Sequence, residues 1–292
     1  MHPSPLRTAL RALALAAVGL PLAAPGLAGE DSAAVTAAGS PAADGALTGK
    51  QIYERVLDNR FDSYVQELTM RSGDRGGNIQ DTEIQLKYRS FRDDSKQVLS
   101  KTIMKYQAPQ DVRHLGYLVI NKADGSEDQF VYRPSSRRVQ RINLRGEAIF
   151  GTDFAFEDII PQELEDATYE RLPDSDIAGT PVYVVEVTPV AEQDSDYSKF
   201  EVYVTLDRFV ALRVVYWDRD GLKLKELTVV PESITMYEAE EKGEMKRVWV
   251  ALEQKIVHLK LYTWTRLEVR ELDPTAKLKR RHFSERELTK GH

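Results

Sequence analysis

Phe200-Glu-Val-Tyr-Val-Thr-Leu206 leads through Leu212-Arg-Val-Val-Tyr216 and the turn Asp218-Arg-Asp-Gly221 into the run from Leu222 to Val230. Phe200, Val202, Val204 and Leu206 take every second position, with Glu201, Tyr203 and Thr205 between them. A period of two puts the apolar set on one face of a pleated strand. A short turn ending in Asp-Gly joins neighbouring runs as antiparallel hairpins.

The same period recurs on both sides. Thr82, Ile84, Leu86 and Tyr88 alternate with Glu83, Gln85, Lys87 and Arg89. Leu115, Tyr117 and Val119 precede the turn Ala123-Asp124-Gly125, and Phe130 with Tyr132 follow it. Tyr183, Val185 and Val187 alternate with Glu186 and Thr188. Val248, Val250, Leu252 and Ile256 predict a penultimate long strand, Leu261 to Val269 a last one, and Glu238, Glu240, Glu241 and Glu244 a solvated loop. Ten or more strands in series make a wide antiparallel meander, which curls or splits because strands twist. The alternation places Leu86, Val185, Val202, Val204 and Val214 on its apolar face.

Two segments depart from this period. Thr48 with Gln51 three residues on forms a capping-box signal, and Ile52, Tyr53, Val56 and Leu57 share one helical face. So short a helix needs a surface to lie on. From Gly146 to Glu165 the chain carries Phe150, Phe154, Phe156, Ile159 and Ile160, and Asp153 is placed to cap a short helix. Such an insertion either plugs an open apolar face or covers a core in the ordinary way.

The N-terminal residues predict export. Arg7 and Arg11 precede the apolar stretch Ala12 to Ala24, and Gly26-Leu27-Ala28 supplies the small residues of a cleavage site. Residues 1–28 are therefore expected to be a signal peptide, residues 29–46 a flexible linker, and residues 47–290 one β domain. The chain has no cysteine, which excludes disulfides, thiolate chemistry and an acylated N-terminal cysteine. The formal charge is −6, and loss of Arg7 and Arg11 makes it more negative, so a general nucleic-acid binder is not expected. The product should be soluble in the exported compartment.

Chemistry is hard to place. His114, His258, His282 and His292 have no histidine partner at metal-ligand spacing, and no nucleophile elbow, phosphate loop or dinucleotide turn occurs. His114 falls in a strand pattern. Asp218-Arg-Asp-Gly221 resembles the start of a calcium loop, but the lysines that follow favour a hairpin turn. No enzyme, cofactor or metal is expected. One basic cluster stands out: Arg133, Arg137, Arg138, Arg141 and Arg145, interleaved with Tyr132, Pro134, Val139 and Ile142. Arginine suits anionic head groups or an acidic partner, whereas the plainer reading is a solvated hairpin face.

The run Gln129-Phe-Val-Tyr-Arg-Pro-Ser-Ser-Arg-Arg-Val-Gln-Arg-Ile142, then Phe150-Gly-Thr-Asp-Phe-Ala-Phe-Glu-Asp-Ile159, resembles the LolA-like outer-membrane lipoprotein-sorting family, in the branch associated with RND- or ABC-type exporters. Gly179 to Glu186, Asp218 to Lys225 and Phe283 to Leu288 support it, and the charged stretch Glu240 to Val250 departs from the family pattern. The resemblance implies a mainly β, half-open antiparallel barrel whose concave apolar face is covered by short helices. It implies a periplasmic carrier of lipid or lipoprotein acyl chains between inner and outer membrane, working with an inner-membrane exporter and touching membranes transiently. A non-carrying adaptor of an exporter complex is the alternative. The residues expected to line the cavity and its lid are Leu86, Tyr117, Phe130, Tyr132, Phe150, Phe154, Phe156, Val185, Val202, Val204 and Val214, with Arg133, Arg137, Arg138 and Arg141 meeting a head group or partner.

Overall fold

Fifteen strands follow one helix along the described chain: α1 (Gly49–Asp58), β1 (Ser63–Gly73), β2 (Ile79–Ser90), β3 (Val98–Ala108), β4 (Gly116–Lys122), β5 (Glu127–Arg133) and β6 (Arg138–Arg141), then α2 (Phe156–Ile159). After α2 come β7 (Ala167–Ile177), β8 (Thr180–Pro189), β9 (Tyr197–Thr205), β10 (Ala211–Asp218), β11 (Lys223–Val229), β12 (Ile234–Glu241), β13 (Glu244–Ala251), β14 (Glu253–His258) and β15 (Thr263–Asp273), and the chain closes with α3 (Glu285–Leu288). The computed structural model describes residues 46–290; the expected signal peptide and nearly all of the expected linker lie outside the described residues.

Thirteen strands form one antiparallel sheet in the order β6-β5-β4-β3-β2-β1-β15-β14-β11-β10-β9-β8-β7. Its edges, β6 and β7, do not pair with each other, so the sheet curls without closing. Strand twist makes a sheet this wide curl, and the inner face becomes the core. Ile84, Leu86, Tyr88, Met104, Tyr117, Val131, Val185, Val202, Val214, Ile256 and Leu267 all belong to that concave core. The mainly β, open architecture expected from the alternation is what forms.

Helix α1 lies against the concave side. Its capping box forms as the sequence predicts, with Gln51 N–H donating to Thr48 Oγ1 at 3.2 Å and Thr48 N–H to the Gln51 side chain at 2.9 Å. Ile52 and Tyr53 are buried, and Tyr53 stacks on Tyr169 of β7. The turn after β10 is a hairpin: the Asp218 carboxylate accepts from the N–H groups of Asp220 and Leu222, and Gly221 takes φ +74°, a region side chains avoid.

Several local expectations fail for identifiable reasons. The stretch from Val248 to Ile256 is two strands in different sheets. At the break Ser233 Oγ accepts from Glu253 N–H at 3.0 Å and the chain changes direction. The acidic stretch read as a loop is the separate hairpin β12–β13, in which polar side chains alternate because one face is exposed. His114 sits in the turn between β3 and β4 at φ +70°, outside any strand. Leu206 lies just past the end of β9 and is exposed.

A second, smaller core sits on the convex face. There α3 and the segment before it bring Phe283 and Leu288 against Phe91, Ile103 and Leu118. Phe130 and Tyr132 pack on this cluster. Their expected place in the cavity is therefore wrong: on β5 the concave positions are Gln129 and Val131, and the pleat sends the two aromatics to the other side. Among the described residues no helix is long and apolar enough to cross a membrane.

Candidate functional site: the covered concave face

The concave face is not filled throughout. Two adjoining cavities lie between the sheet, α1, α2 and the β12–β13 hairpin, with volumes of about 380 and 410 Å³. The first is the more apolar, lined by Phe61, Leu68, Phe154, Leu227, Val248, Val250, Leu267 and Leu272. The second is lined by Tyr53, Leu57, Ile160, Phe200 and Val202 together with Arg145, Glu157 and Asp166. Val56, Arg60, Tyr64, Asp158, Ile159, Val214, Tyr216 and Gln254 border both.

Helix α2 is held in place by charge. Asp158 Oδ2 accepts from the Ala155 N–H at 2.7 Å and from Lys225 Nζ at 2.8 Å, while Tyr197 Oη donates to its Oδ1 at 2.7 Å. Asp158 is thus the group that caps the helix. Asp153, the expected cap, is instead turned to β15, where it accepts from the hydroxyls of Thr263 and Thr265. Next to Asp158, Glu157 accepts from Ser195 Oγ at 2.7 Å and lies 3.7 Å from Arg145 Nε. Burial pushes the Glu157 carboxyl up to about 7 against the opposing Ser195 bond, with the Asp158 charge adding to the rise. Burial likewise raises Asp166 to about 6.

The other cations near the cavities are also matched. Arg145 Nη1 contacts Glu127 at 2.6 Å and also donates to Gln193. Arg60 donates to the Gln162 carbonyl at 2.9 Å and lies 3.4 Å from the buried Glu163. Glu163 also accepts from Arg92 at 2.6 Å and from Ser100 Oγ at 2.9 Å.

The β12–β13 hairpin reaches over the apolar cavity and is tied to the end of α1. The Asn59 amide donates to the Trp249 carbonyl at 2.9 Å and accepts from the Trp249 N–H at 2.8 Å, as a neighbouring strand would. Lys242 at its turn bridges Asp62 and Asp93 at 3.0 and 2.8 Å.

Of the residues expected to line the cavity, Val202, Val214 and Phe154 do so. Leu86, Tyr117, Phe156, Val185 and Val204 belong to the same core but lie behind the lining, and Phe156 packs on the Tyr117 ring with centroids 4.2 Å apart. Phe154 and Phe156 are only 1% and 4% exposed, so they are core and not a loose cover. Phe150 is 41% exposed and lines neither cavity; its carbonyl meets Gln80 and Thr82. The arginine cluster is divided. Arg133 pairs with Gln140, Arg141 with Asp128, and Arg137 and Arg138 are exposed at the turn into β6, while Arg145 is buried. None of Arg133, Arg137, Arg138 and Arg141 borders the two cavities. The sequence reading missed Arg60, Tyr64, Tyr216 and Gln254. The two tyrosines and Gln254 stand at in-facing strand positions, a signal the alternation carried; Arg60 follows a helix end and left none.

The open antiparallel sheet with helices over its concave face is shared with solved structures. A domain named as an outer membrane lipoprotein-sorting protein from Vibrio parahaemolyticus superposes with a TM-score of 0.71 at 22% identity, over 83% of this chain and 98% of that one. A DUF1329 family protein from Desulfovibrio piger gives 0.70 at 20% identity, over 82% and 97%. A LolA superfamily protein from Nitrosomonas europaea gives 0.62 at 19%, over 83% and 100%. No curated protein matches the sequence. A family model whose description reads "Uncharacterized protein" matches residues 99–290, and the chain belongs to that family.

Proposed function

We propose that the protein is a periplasmic carrier of lipid or lipoprotein acyl chains, exported by the leader at residues 1–28 and acting through residues 47–290 as one domain. The observation that carries this reading is the pair of joined cavities on the concave face, each within the range of about 300–1,000 Å³ typical of ligand sites. An acyl chain in water needs an apolar, concave and shielded surface, and the lining from Phe61, Leu227, Val250 and Leu267 supplies one. Similarity in fold to a domain named for lipoprotein sorting supports the same role. No chemical step is assigned to the protein. An RND- or ABC-type exporter of the inner membrane is the proposed source of cargo, and the exposed Arg137 and Arg138 are the proposed contact with an acidic partner.

The non-carrying adaptor draws support from one observation: Phe154 and Phe156 fill part of the concave face with the protein's own side chains. Mass spectrometry of organic extracts from natively purified protein separates the two readings. A carrier yields lipid in amounts comparable to protein. Protein that purifies empty and binds no acyl probe would be the adaptor.

A further inference from the structure

We infer that the ligand presents an uncharged polar group, a hydroxyl, ester or amide, to the junction of the two cavities, and not an ionised head group; this rests on the carrier reading above. Tyr64 pairs with Tyr88, Gln66 with Leu86 and Leu272, Tyr216 with Phe200, and Gln254 with Leu267. Each of those partners belongs to the concave core. Directly paired residues share a face, so all four polar side chains point into the concavity. Tyr64, Tyr216 and Gln254 border both cavities, and Gln66 borders the apolar one.

None of these four side chains hydrogen-bonds to another described residue. Tyr216 is buried and Tyr64, Gln66 and Gln254 are half-buried, so four hydroxyl and amide groups without a protein partner on one cavity wall offer hydrogen bonds to a polar group of the ligand. All four are neutral. The hydroxyls of Tyr64 and Tyr216 are kept protonated because burial drives their pKa values upward. They donate to an ester, amide or hydroxyl oxygen, and the two glutamines can donate or accept.

Charged residues at the junction show the opposite pattern. Arg60, which borders both cavities, is held by Glu163 and the Gln162 carbonyl. Arg145, on the second cavity, pairs with Glu127 at 2.6 Å and, of its buried atoms, keeps only its Nε without a hydrogen-bond partner. Lys225, behind the wall, is held by Asp158 at 2.8 Å. An ionised carboxylate or phosphate in the junction would find each of these cations already paired. An ammonium at the junction would meet Asp158, the carboxylate that borders both cavities, already held by Lys225. Either ion would enter at the cost of an uncompensated buried charge.

The test is displacement of the neutral fluorophore N-phenylnaphthylamine from the purified protein at mildly alkaline pH by decanol, decanoate and decylammonium, which share one chain length. Decanol should displace it at roughly tenfold lower concentration than either ion, the ratio expected from one mismatched buried group. Tyr216→Phe combined with Gln254→Leu should shrink that preference to about threefold or less, with the fluorophore's own affinity nearly unchanged. If decanoate or decylammonium matches decanol, the uncharged-group inference is overturned and the carrier reading stands. A double variant that keeps the full preference overturns the placement at this junction. If the fluorophore does not bind at all, the carrier reading falls, and the inference with it.

Discussion

The ammonium of Lys225 lies 2.8 Å from the carboxylate of Asp158, and the two side chains are 5% and 0% exposed. Lys225 closes the Asp218–Lys225 hairpin motif, and Asp158 belongs to the Phe150–Ile159 motif, so two segments that stand apart in the sequence are joined by one buried ion pair. Lys225 Nζ also reaches the Asp153 carbonyl at 3.3 Å. The pair fastens α2 to the sheet and thereby sets one wall of both cavities.

Removing one partner of this pair should be costly. Lys225→Met leaves Asp158 charged and buried, with an expected loss of about 3–5 kcal/mol. Adding Asp158→Asn removes the stranded charge, so the double variant should recover much of that loss. Urea unfolding of both single variants and the double variant gives the coupling directly. Additive losses would show that the two residues act independently.

Stability should fall as the pH rises from about 4.5 to about 7. The Glu157 carboxyl sits at about 7 in the folded protein, against an ordinary 4.5, and Asp166 at about 6 against 3.8. In this window the folded state binds more protons than the unfolded one, so raising the pH favours unfolding. Glu157→Gln removes the Glu157 share of that titration and should make the dependence shallower, with Asp166 left to titrate. Thermal melts of wild type and variant at several pH values across the window check it, and an unchanged slope in the variant would assign the effect elsewhere.

Phe154→Ala should cost about 3–5 kcal/mol, as for a filled core position, because the ring is 1% exposed. Phe150→Ala, at an exposed site, should stay within about 0.5 kcal/mol of wild type. Val202→Asp places a charge on the cavity wall and should unfold the protein or abolish acyl-probe binding. Chemical denaturation paired with probe titration distinguishes these outcomes.

Arg138→Glu with Arg141→Glu should leave stability nearly unaltered, since Arg138 is exposed and the Arg141–Asp128 pair is largely solvated. Binding to an acidic partner should weaken, and the effect should shrink as salt is added. A sharp drop in melting temperature with unchanged partner binding would make the cluster structural. Arg145 is the contrasting member of the run: it is buried against Glu127 and Glu157, and Arg145→Ala should destabilise strongly.

Period-two alternation, the Asp-Gly turn and the Thr48–Gln51 capping box are local signals, set by the pleat, by backbone sterics and by contacts within one helical turn. They were enough to specify a mainly β, open antiparallel sheet with a short amphipathic helix, and to put Val202 and Val214 on the inner face. Where a strand ends in one sheet and resumes in another is not local. The break near Leu252 depends on Ser233 meeting Glu253, and the acidic hairpin forms because it folds back over the apolar cavity. Nor could alternation tell core from lining. Phe154 and Val202 border a cavity, whereas Leu86 and Val185 on the same face are packed behind it, and that difference is set by what lies across the concavity. The partners of Asp158, Glu157 and Arg60 come from β9 and the loop before it, from β11 and from the segment after α2. Buried ion pairs and open polar groups are properties of distance through space, so only the curled sheet, by bringing strands far apart in sequence to one wall, decided which side chains face the cavity and which charges there are already matched.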